Sequence, residues 1–259
     1  MSWTAWLERG RAGSRRGIGP GRGDGALPPR DLRTSTDVRD VGRPGPDTRE
    51  LFARALGLPG AFNLDDCGHF QLVLTLQRLS GLTGDLLEIG THGGRSAAIM
   101  AACLGPGETL VCCDPFDLPD AQGNASKRTP DRVLANIRAA VPDLPNAAVR
   151  FHRCFSEDLA LAPGDRFRFA HVDGDHSEAR THADLVLCRE HLLPGGVVVL
   201  DDHGHPAYPG VEAAARRFLD THPDMRVLAE LNRHGAAGRK LYLYRAMAVG
   251  GLDAAPSDG

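Results

Sequence analysis

Between residues 48 and 245, apolar stretches of two kinds alternate along the chain. Short, nearly continuous apolar runs predict buried strands, and longer segments with helical spacing of apolar residues predict helices. Strands are predicted at residues 85–89, 109–113, 149–154, 167–172, 197–200, 225–231 and 240–244. Helices are predicted at residues 48–56, 67–80, 95–104, 130–140, 177–192 and 212–220. This alternation predicts an α/β fold with a doubly wound, mostly parallel, seven-stranded sheet that closes in an antiparallel edge.

The two ends of the chain have a different composition. Residues 9–25 hold five arginines among seven glycines, and proline-rich sequence continues to residue 46. Such a stretch buries too little apolar surface to order itself, so residues 1–46 are predicted to be a flexible extension. A segment that folds over the active site or onto a second subunit is the alternative. Residues 47–247 form the predicted folded domain, and residues 248–259 a disordered tail.

Composition narrows the classes of partner. The net charge of -3 argues against a dedicated nucleic-acid binder. No apolar run approaches the roughly 20 residues needed to cross a bilayer, and no secretory signal core is present. Six cysteines without a Cys-x-x-Cys pair indicate reduced, buried thiols in a cytoplasmic protein: Cys67, Cys103, Cys112, Cys113, Cys154 and Cys188.

Acidic residues follow two of the predicted strands. Asp173 and Asp175 come after the strand at 167–172, and Asp201 and Asp202 follow the strand at 197–200. In an open parallel sheet the carboxyl ends of the strands form the ligand crevice. Carboxylates gathered there repel one another unless protonation or a cation relieves them, and oxygen ligands suit a hard ion such as Mg²⁺.

A glycine-rich turn links the first predicted strand to a helix. The run LLEIGTHGGRS at residues 86–96 lets the backbone approach a ligand and offers free N–H groups at the helix start. Asp114, at the end of the next strand, is placed to bind ribose hydroxyls. A nucleoside cofactor is therefore predicted. Hydride transfer with NAD usually needs a Tyr-x-x-x-Lys pair. The chain has only Lys127 and Lys240, and neither lies four residues after a tyrosine.

Three motifs together resemble a known family. The glycine run, HVDGDH at residues 171–176 and LPGGVVVLDD at residues 193–202 are similar to the class I S-adenosylmethionine-dependent methyltransferases, in their metal-dependent O-methyltransferase branch. The resemblance covers roughly residues 60–245 and implies a Rossmann-like sheet. The two Asp motifs are more specific than the glycine turn.

The resemblance implies roles for individual residues. The residues it assigns to the cofactor are Glu88, Gly90, Thr91, Gly93, Ser96, Asp114, Ser156 and Asp173, and Glu157 would lie near the adenine. The implied metal ligands are Asp173, Asp201 and Asp202, although Asp-Asp departs from the Asp-Asn and Glu-Asp pairs of relatives. Catalysis is assigned to His176, as the base of a sugar-type enzyme, together with Asp173.

Several histidines keep a second interpretation. His176 is alternatively a helix-cap or loop residue. His203 and His205 line the substrate pocket, support the carboxylates or are solvated. His171 is expected in the core or at an interface rather than in catalysis. His92 contacts ligand or acts as a spacer. Asp175 is expected at a helix start, where its charge favours the helix dipole.

The predicted function is metal-assisted O-methylation of a hydroxylated small molecule, a sugar-bearing or polyhydroxylated natural product. S-adenosylmethionine and Mg²⁺ or another divalent cation are the expected cofactors. A homo-oligomer is possible, and neither nucleic acid nor membrane is expected as a partner. The alternatives are an NAD-dependent sugar oxidoreductase and a non-catalytic, cofactor-binding regulatory protein.

Overall fold

A computed structural model describes residues 47–119 and 122–247, so the predicted extension at 1–46 and tail at 248–259 lie outside it. The strands are β1 Asp85–Ile89, β2 Leu110–Asp114, β3 Val149–Arg153, β4 Phe167–Val172, β5 Leu192–His203, β6 Met225–Leu231 and β7 Arg239–Arg245. The α-helices are α1 Thr48–Leu56, α2 Leu64–Leu79, α3 Arg95–Ala102, α4 Pro130–Ala140, α5 Glu178–His191 and α6 Pro209–Thr221.

All seven strands form one sheet in the order β3-β2-β1-β4-β5-β7-β6. Strands β1 to β5 pair in parallel, whereas β7 runs antiparallel to both β5 and β6. The predicted doubly wound fold with an antiparallel edge is thus confirmed, with β7 inserted between β5 and β6. The strand order reverses between β1 and β4, and ligands of such sheets bind beside that switch point.

Alternate residues of each central strand enter different cores. Leu86 of β1 and Phe169 of β4 pack in the core that also contains residues of α1 to α4. Leu87 and Ala170 pack in a second core with residues of α5 and α6. Because successive strand residues point to opposite faces, the helices cover both sides of the sheet.

Helix boundaries differ from prediction where polar caps decide them. Helix α2 begins at Leu64 rather than at residue 67, because Asn63 and Asp66 form a reciprocal capping box with bonds of 3.0 and 2.9 Å. Helix α6 begins at Pro209, which occupies the first helical turn where its missing N–H is tolerated. Strand β5 is longer than the predicted strand at residues 197–200. It begins at Leu192, before the Pro-Gly-Gly sequence, and continues to His203.

The chemistry of the thiols agrees with the prediction. All six cysteines are free, and five of them are buried. Among the residues that the structure covers, none of the helices could span a membrane.

A buried arginine marks the amino-terminal end of β4. Arg168 is fully buried, and its Nε and Nη2 bind the two carboxylate oxygens of Glu108 at 2.8 and 2.7 Å. Its remaining donors reach Gln77 Oε1 at 3.1 Å and the Cys103 carbonyl at 3.0 Å. The register of β4 shifts against both neighbours at this residue, as at a β-bulge, which re-aims a side chain.

Candidate active site

Acidic side chains meet at the carboxyl ends of the parallel strands. Glu88 lies on β1, Asp173 directly follows β4, and Asp201 and Asp202 end β5. Gly90 allows the first two loops to touch: it has φ +89°, and a Cβ there would overlap the Asp173 carbonyl. The structure therefore brings together the predicted cofactor turn and both Asp motifs.

A chain of buried polar contacts crosses the floor of this site. Glu88 Oε1 lies 3.0 Å from His171 Nδ1, and His171 Nε2 lies 3.2 Å from Lys240 Nζ. Lys240 in turn donates to Asp201 Oδ2 at 2.6 Å. Because an ammonium only donates, Lys240 Nζ is the donor towards His171 Nε2, and His171 Nδ1 faces Glu88 Oε1. His171 is in the core as predicted, and it also links the cofactor strand to the acidic cluster.

A second cation enters from the β6–β7 loop. Arg233 Nη2 lies 2.9 Å from Asp201 Oδ1 and 3.2 Å from Asp202 Oδ1, and Nη1 lies 3.8 Å from Asp66. Burial raises the pKa of Asp201, but the charges of Lys240, His171 and Arg233 outweigh burial and lower it to about 2. Asp201 is therefore an ionised partner of two fixed cations.

Asp173 has a different environment. Its side chain is partly buried, and no described residue donates a hydrogen bond to its carboxylate. Burial, followed by the neighbouring Asp201 charge, raises the pKa of Asp173 well above its ordinary value. This carboxylate has the local environment in which an added cation would be most stabilising.

His176 lies at the outer edge of the cluster. Its Nε2 is 3.1 Å from Asp202 Oδ2, without the alignment of a full hydrogen bond. The Asp202 carboxylate raises the pKa of His176 against the effect of burial. Ligand atoms of Asp173, His176 and Asp202 lie within 4.8 Å of one another, and so do those of His171, Asp173 and Asp201.

An aromatic stack holds the His176 ring. Tyr208 lies parallel to His176, with centroids 4.0 Å apart and planes at 14°, and to His205, at 4.5 Å and 25°. Two flat rings cannot share one face of a phenol at these distances, so the histidines flank Tyr208 on opposite faces. Gly210 keeps this turn close to α5, because a Cβ there would come within 2.7 Å of the His176 carbonyl oxygen.

The cofactor turn is built from special backbone geometry. Gly94 caps α3 with φ +85°, and Ser96 is buried in the first turn of that helix. The Asp114 carboxylate accepts the N–H groups of His92 at 2.8 Å and Phe116 at 2.6 Å, and both residues have positive φ. Asp114 thus braces the turn, and its binding of ribose hydroxyls stays a prediction.

One polar atom of this turn lacks a partner, and a second has only a thiol beside it. Glu88 Oε2 is buried without a hydrogen bond in the described structure, and Thr91 Oγ1 lies next to the Cys112 thiol. Gly93 lies against the Pro59 carbonyl, so its missing Cβ serves the packing of the turn against the α1–α2 loop. Arg95 donates to the Leu58 and Phe62 carbonyls of that loop and is structural.

The predicted adenine residues line a neighbouring cleft. Ser156 and Glu157 lie directly after β3 and border a cavity of about 190 Å³ with Arg180 and Asp184 of α5. Glu157 forms an ion pair with Arg180 across its mouth. Asp184 is 3% exposed, and burial raises its pKa to about 6.

The structure distinguishes between the alternatives that the sequence left open for Asp175 and three histidines. Asp175 Oδ1 accepts the Ser177 N–H at 2.7 Å, which confirms it as a helix-start residue. His203 pairs with Glu230 at 2.9 Å, so its ring does not support the carboxylates. His205 joins the aromatic stack, and His92 is exposed.

Sequence reasoning missed the cations. Lys240 and Arg233 were not assigned to the site, and neither was Asp66. One signal was present: Lys240 is one of two lysines in the chain and occurs beside the apolar run of β7. A lysine is almost never fully buried unless it is paired, so its position predicts a buried carboxylate partner.

Comparisons with known proteins agree with this geometry. Residues 87–203 match a protein-family model described as a methyltransferase domain. A search of curated proteins found no match. Among solved structures, the O-methyltransferase NovP is 19% identical, covers 73% of this chain and 84% of its own, and has a TM-score of 0.58.

Two further solved structures share the fold. CalS11, a TDP-rhamnose 3'-O-methyltransferase of calicheamicin biosynthesis, is 20% identical over 76% of this chain and 92% of its own, with a TM-score of 0.51. TomG of Streptomyces achromogenes, involved in tomaymycin synthesis and solved with S-adenosylmethionine, is 19% identical over 78% and 97%, with a TM-score of 0.51. At these identities the likeness establishes the fold.

Proposed function

Since residues 87–203 match a methyltransferase-domain model and the fold is that of solved O-methyltransferases, we propose that this chain is a class I methyltransferase that methylates a hydroxyl oxygen of a small molecule with S-adenosylmethionine. The observation that carries the proposal is the unpartnered, fully buried Glu88 carboxylate oxygen beside the Gly90 turn. A buried carboxylate oxygen without a donor is costly. The ammonium group of the methionine moiety would supply that donor, whereas the pyridinium nitrogen of a nicotinamide dinucleotide carries no hydrogen to donate.

The other residues of the turn suit the same cofactor. Thr91 Oγ1 is buried with only the Cys112 thiol beside it, and Gly90 leaves room for close backbone approach. The start of α3 offers free N–H groups. Asp114 still has lone pairs for ribose hydroxyls, and the cleft at Ser156 and Glu157 suits the adenine.

The acidic cluster fits a divalent metal ion. Asp173 lacks a hydrogen-bond donor in the described structure, and it belongs with Asp202 and His176 to a group whose ligand atoms lie within 4.8 Å of one another. These two carboxylates would hold a hard cation such as Mg²⁺. Asp201, the third ligand that the resemblance implies, already binds two cationic side chains. A bound divalent ion would lower the pKa of the acceptor hydroxyl and orient it.

His176 is the proposed base. Its Nε2 faces the acidic cluster, and the stack on Tyr208 limits ring rotation. In its neutral form the imidazole would accept the hydroxyl proton, which imposes no large pKa change near pH 7. Its partly exposed position would allow that proton to leave to solvent.

For the acceptor we propose a sugar-bearing or polyhydroxylated natural product. His176 in place of a lysine motivates this choice, and both CalS11 and TomG, which share the fold, belong to natural-product pathways. Mutually close oxygen ligands suit an acceptor with neighbouring hydroxyls.

Calorimetry tests the cofactor assignment. Wild-type protein is expected to bind S-adenosylmethionine and not NAD, and Glu88→Gln is expected to weaken binding on the order of 10-fold or more, as loss of a charged hydrogen bond does. Glu190→Gln, an exposed residue of α5, is the matched control and should bind normally. Binding of NAD without S-adenosylmethionine would reject the proposal.

Methyl transfer to a panel of glycosides tests the base. His176→Ala is expected to lower kcat by roughly 10²-fold or more, the usual contribution of a general base, with cofactor affinity unchanged. A fully active variant would remove His176 from the mechanism. Activity that survives EDTA would remove the metal and leave the methyltransferase assignment intact.

A further inference from the structure

The inner half of the acidic cluster contains a cation of its own. Lys240 is fully buried, and its Nζ lies 2.6 Å from Asp201 Oδ2 and 3.2 Å from His171 Nε2. The rings of Phe62 and Phe70 lie beneath the ammonium at 5.1 and 5.5 Å, within cation–π range. The ammonium therefore has a carboxylate, an imidazole and two aromatic faces around it.

Strand pairing places this lysine beside the ends of the Asp motifs. Leu200 of β5 pairs with Leu241, and His203 pairs with Arg239, with a register shift between the two pairs. Lys240 therefore lies opposite the irregular segment that contains Asp201 and Asp202. Asp202 itself has φ +53°, which turns the two successive carboxylates away from an ordinary strand alternation.

The two groups of possible metal ligands are consequently not equivalent. In the group of His171, Asp173 and Asp201, two members already bind Lys240. Arg233 Nη2 lies 2.9 Å from Asp201 Oδ1 and 3.2 Å from Asp202 Oδ1, so it contacts both groups and Lys240 alone distinguishes them. In the group of Asp173, His176 and Asp202, no member contacts Lys240 within hydrogen-bond distance in the described structure.

Charge repulsion prevents the inner group from accepting a second cation. Oδ2 of Asp201 is already 2.6 Å from an ammonium, so a divalent ion on the same oxygen would lie within a few ångströms of it. Like charges at such a separation in a buried site repel each other more strongly than they would in water. A divalent ion would therefore bind Asp201 only if the Lys240 ammonium group moved away from that carboxylate.

We propose that the Lys240 side chain stays in the inner half of the cluster as the partner of Asp201, and that the divalent ion binds only at the outer half, between Asp173 and Asp202. This deepens the proposed function and rests on it, because it divides the carboxylates between a structural pair and a metal site. Lys240 is then a positioning residue: through His171 it also orients Glu88 towards the cofactor.

Binding of Mn²⁺ to the full chain, followed by electron paramagnetic resonance, tests this division without cofactor or acceptor. Asp173→Asn and Asp202→Asn are each expected to weaken Mn²⁺ binding on the order of 10-fold or more, because each removes a carboxylate ligand. The charge-neutral double variant Lys240→Met/Asp201→Asn should weaken it by less than either of these variants. Loss of binding in the double variant, with its circular dichroism spectrum retained, would make Asp201 a ligand and overturn the proposal. No binding to wild-type protein would also overturn it, even if S-adenosylmethionine binds.

A measurement on the unmodified protein guards against misfolded variants. The chain has two lysines, so protein labelled with ¹⁵N-lysine gives two side-chain signals. The buried Lys240 ammonium should exchange slowly and keep its signal when Mg²⁺ is added. Displacement or loss of that signal by Mg²⁺ would show that the metal takes the place of Lys240 and would overturn the proposal. Methyl transfer is measured separately, so either result leaves the methyltransferase assignment to its own test.

Discussion

Strand β4 has a buried charged cluster at each end, and the two clusters differ in whether their charges are balanced within the protein. At its start, Arg168 and Glu108 form a bidentate pair whose donors and acceptors also reach Gln77 and backbone groups. At its carboxyl end, five carboxylates share two fixed cations: the carboxylates of Asp66, Glu88, Asp173, Asp201 and Asp202 face Lys240 and Arg233. The first cluster is satisfied within the protein. The second leaves carboxylate charge in excess, and a ligand is the natural means of balancing it.

The pKa values follow the same division. Burial raises the pKa of Glu108, but hydrogen bonds from Arg168, Gly105 and Gly84 outweigh burial and hold it below its ordinary value. Burial and Asp201 together hold the pKa of Asp173 well above its ordinary value. A satisfied cluster stabilises the fold, whereas an unbalanced cluster costs stability and creates a binding site.

The largest expected effect comes from breaking the satisfied cluster. Arg168→Met would leave Glu108 buried without its cation, so we expect a loss of roughly 3–5 kcal/mol in the free energy of unfolding, measured in urea. Arg166→Met is the matched control, because Arg166 is exposed two residues earlier, and it should change stability by about 0.5 kcal/mol or less. Equal losses in both variants would mean that the buried pair has no special role.

A smaller effect, of the opposite character, is expected at the other end of β4. Asp173→Asn keeps the size of the side chain and removes one charge from a crowded set of carboxylates, so the free energy of unfolding should not fall. Methyl transfer should fall on the order of 10²-fold, as when a positioned electrostatic group is removed. If Asp173→Asn lost as much unfolding free energy as Arg168→Met, Asp173 would be a structural residue. The proposed difference between the two clusters would then be wrong.

The smallest expected effect is on how the free energy of unfolding depends on pH under acidic conditions. The pKa of Glu108 is lower in the folded than in the unfolded state. Its stabilisation is therefore fully present above the unfolded glutamate pKa of about 4.3 and is lost as pH falls through the lower folded pKa. We expect the stability of Arg168→Met to depend less steeply on pH below about 4.3 than that of wild type. Parallel pH profiles from chemical denaturation would contradict this linkage.

The agreement between prediction and structure is uneven for identifiable reasons. The strands at Asp85–Ile89, Phe167–Val172 and Met225–Leu231 were predicted with their exact limits in the chain. Their apolar patterns and flanking turns are local. The start of α2 was missed because the capping box of Asn63 and Asp66 depends on two side chains that turn back on each other.

The candidate site divides in the same way. The Asp motifs and the glycine turn are local sequences, so their meeting at the ends of parallel strands followed from fold class alone. The contact between Lys240 and Asp201 joins residues 39 positions apart, and that between His171 and Glu88 joins residues 83 positions apart. No spacing rule relates such residues, since the register of β7 against β5 brings the first pair together.

The sequence by itself determined the succession of strands and helices along the chain, the glycine turn and the carboxylates at two strand ends. Short-range apolar periodicity and turn chemistry specify these features. Only the tertiary structure decided which of those carboxylates are neutralised. The free energy of a buried charge depends on partners within a few ångströms, and here they come from distant segments: Lys240 and Arg233 reach Asp201, while Asp173 has no such partner among the described residues. The protein's proposed chemistry rests on that difference.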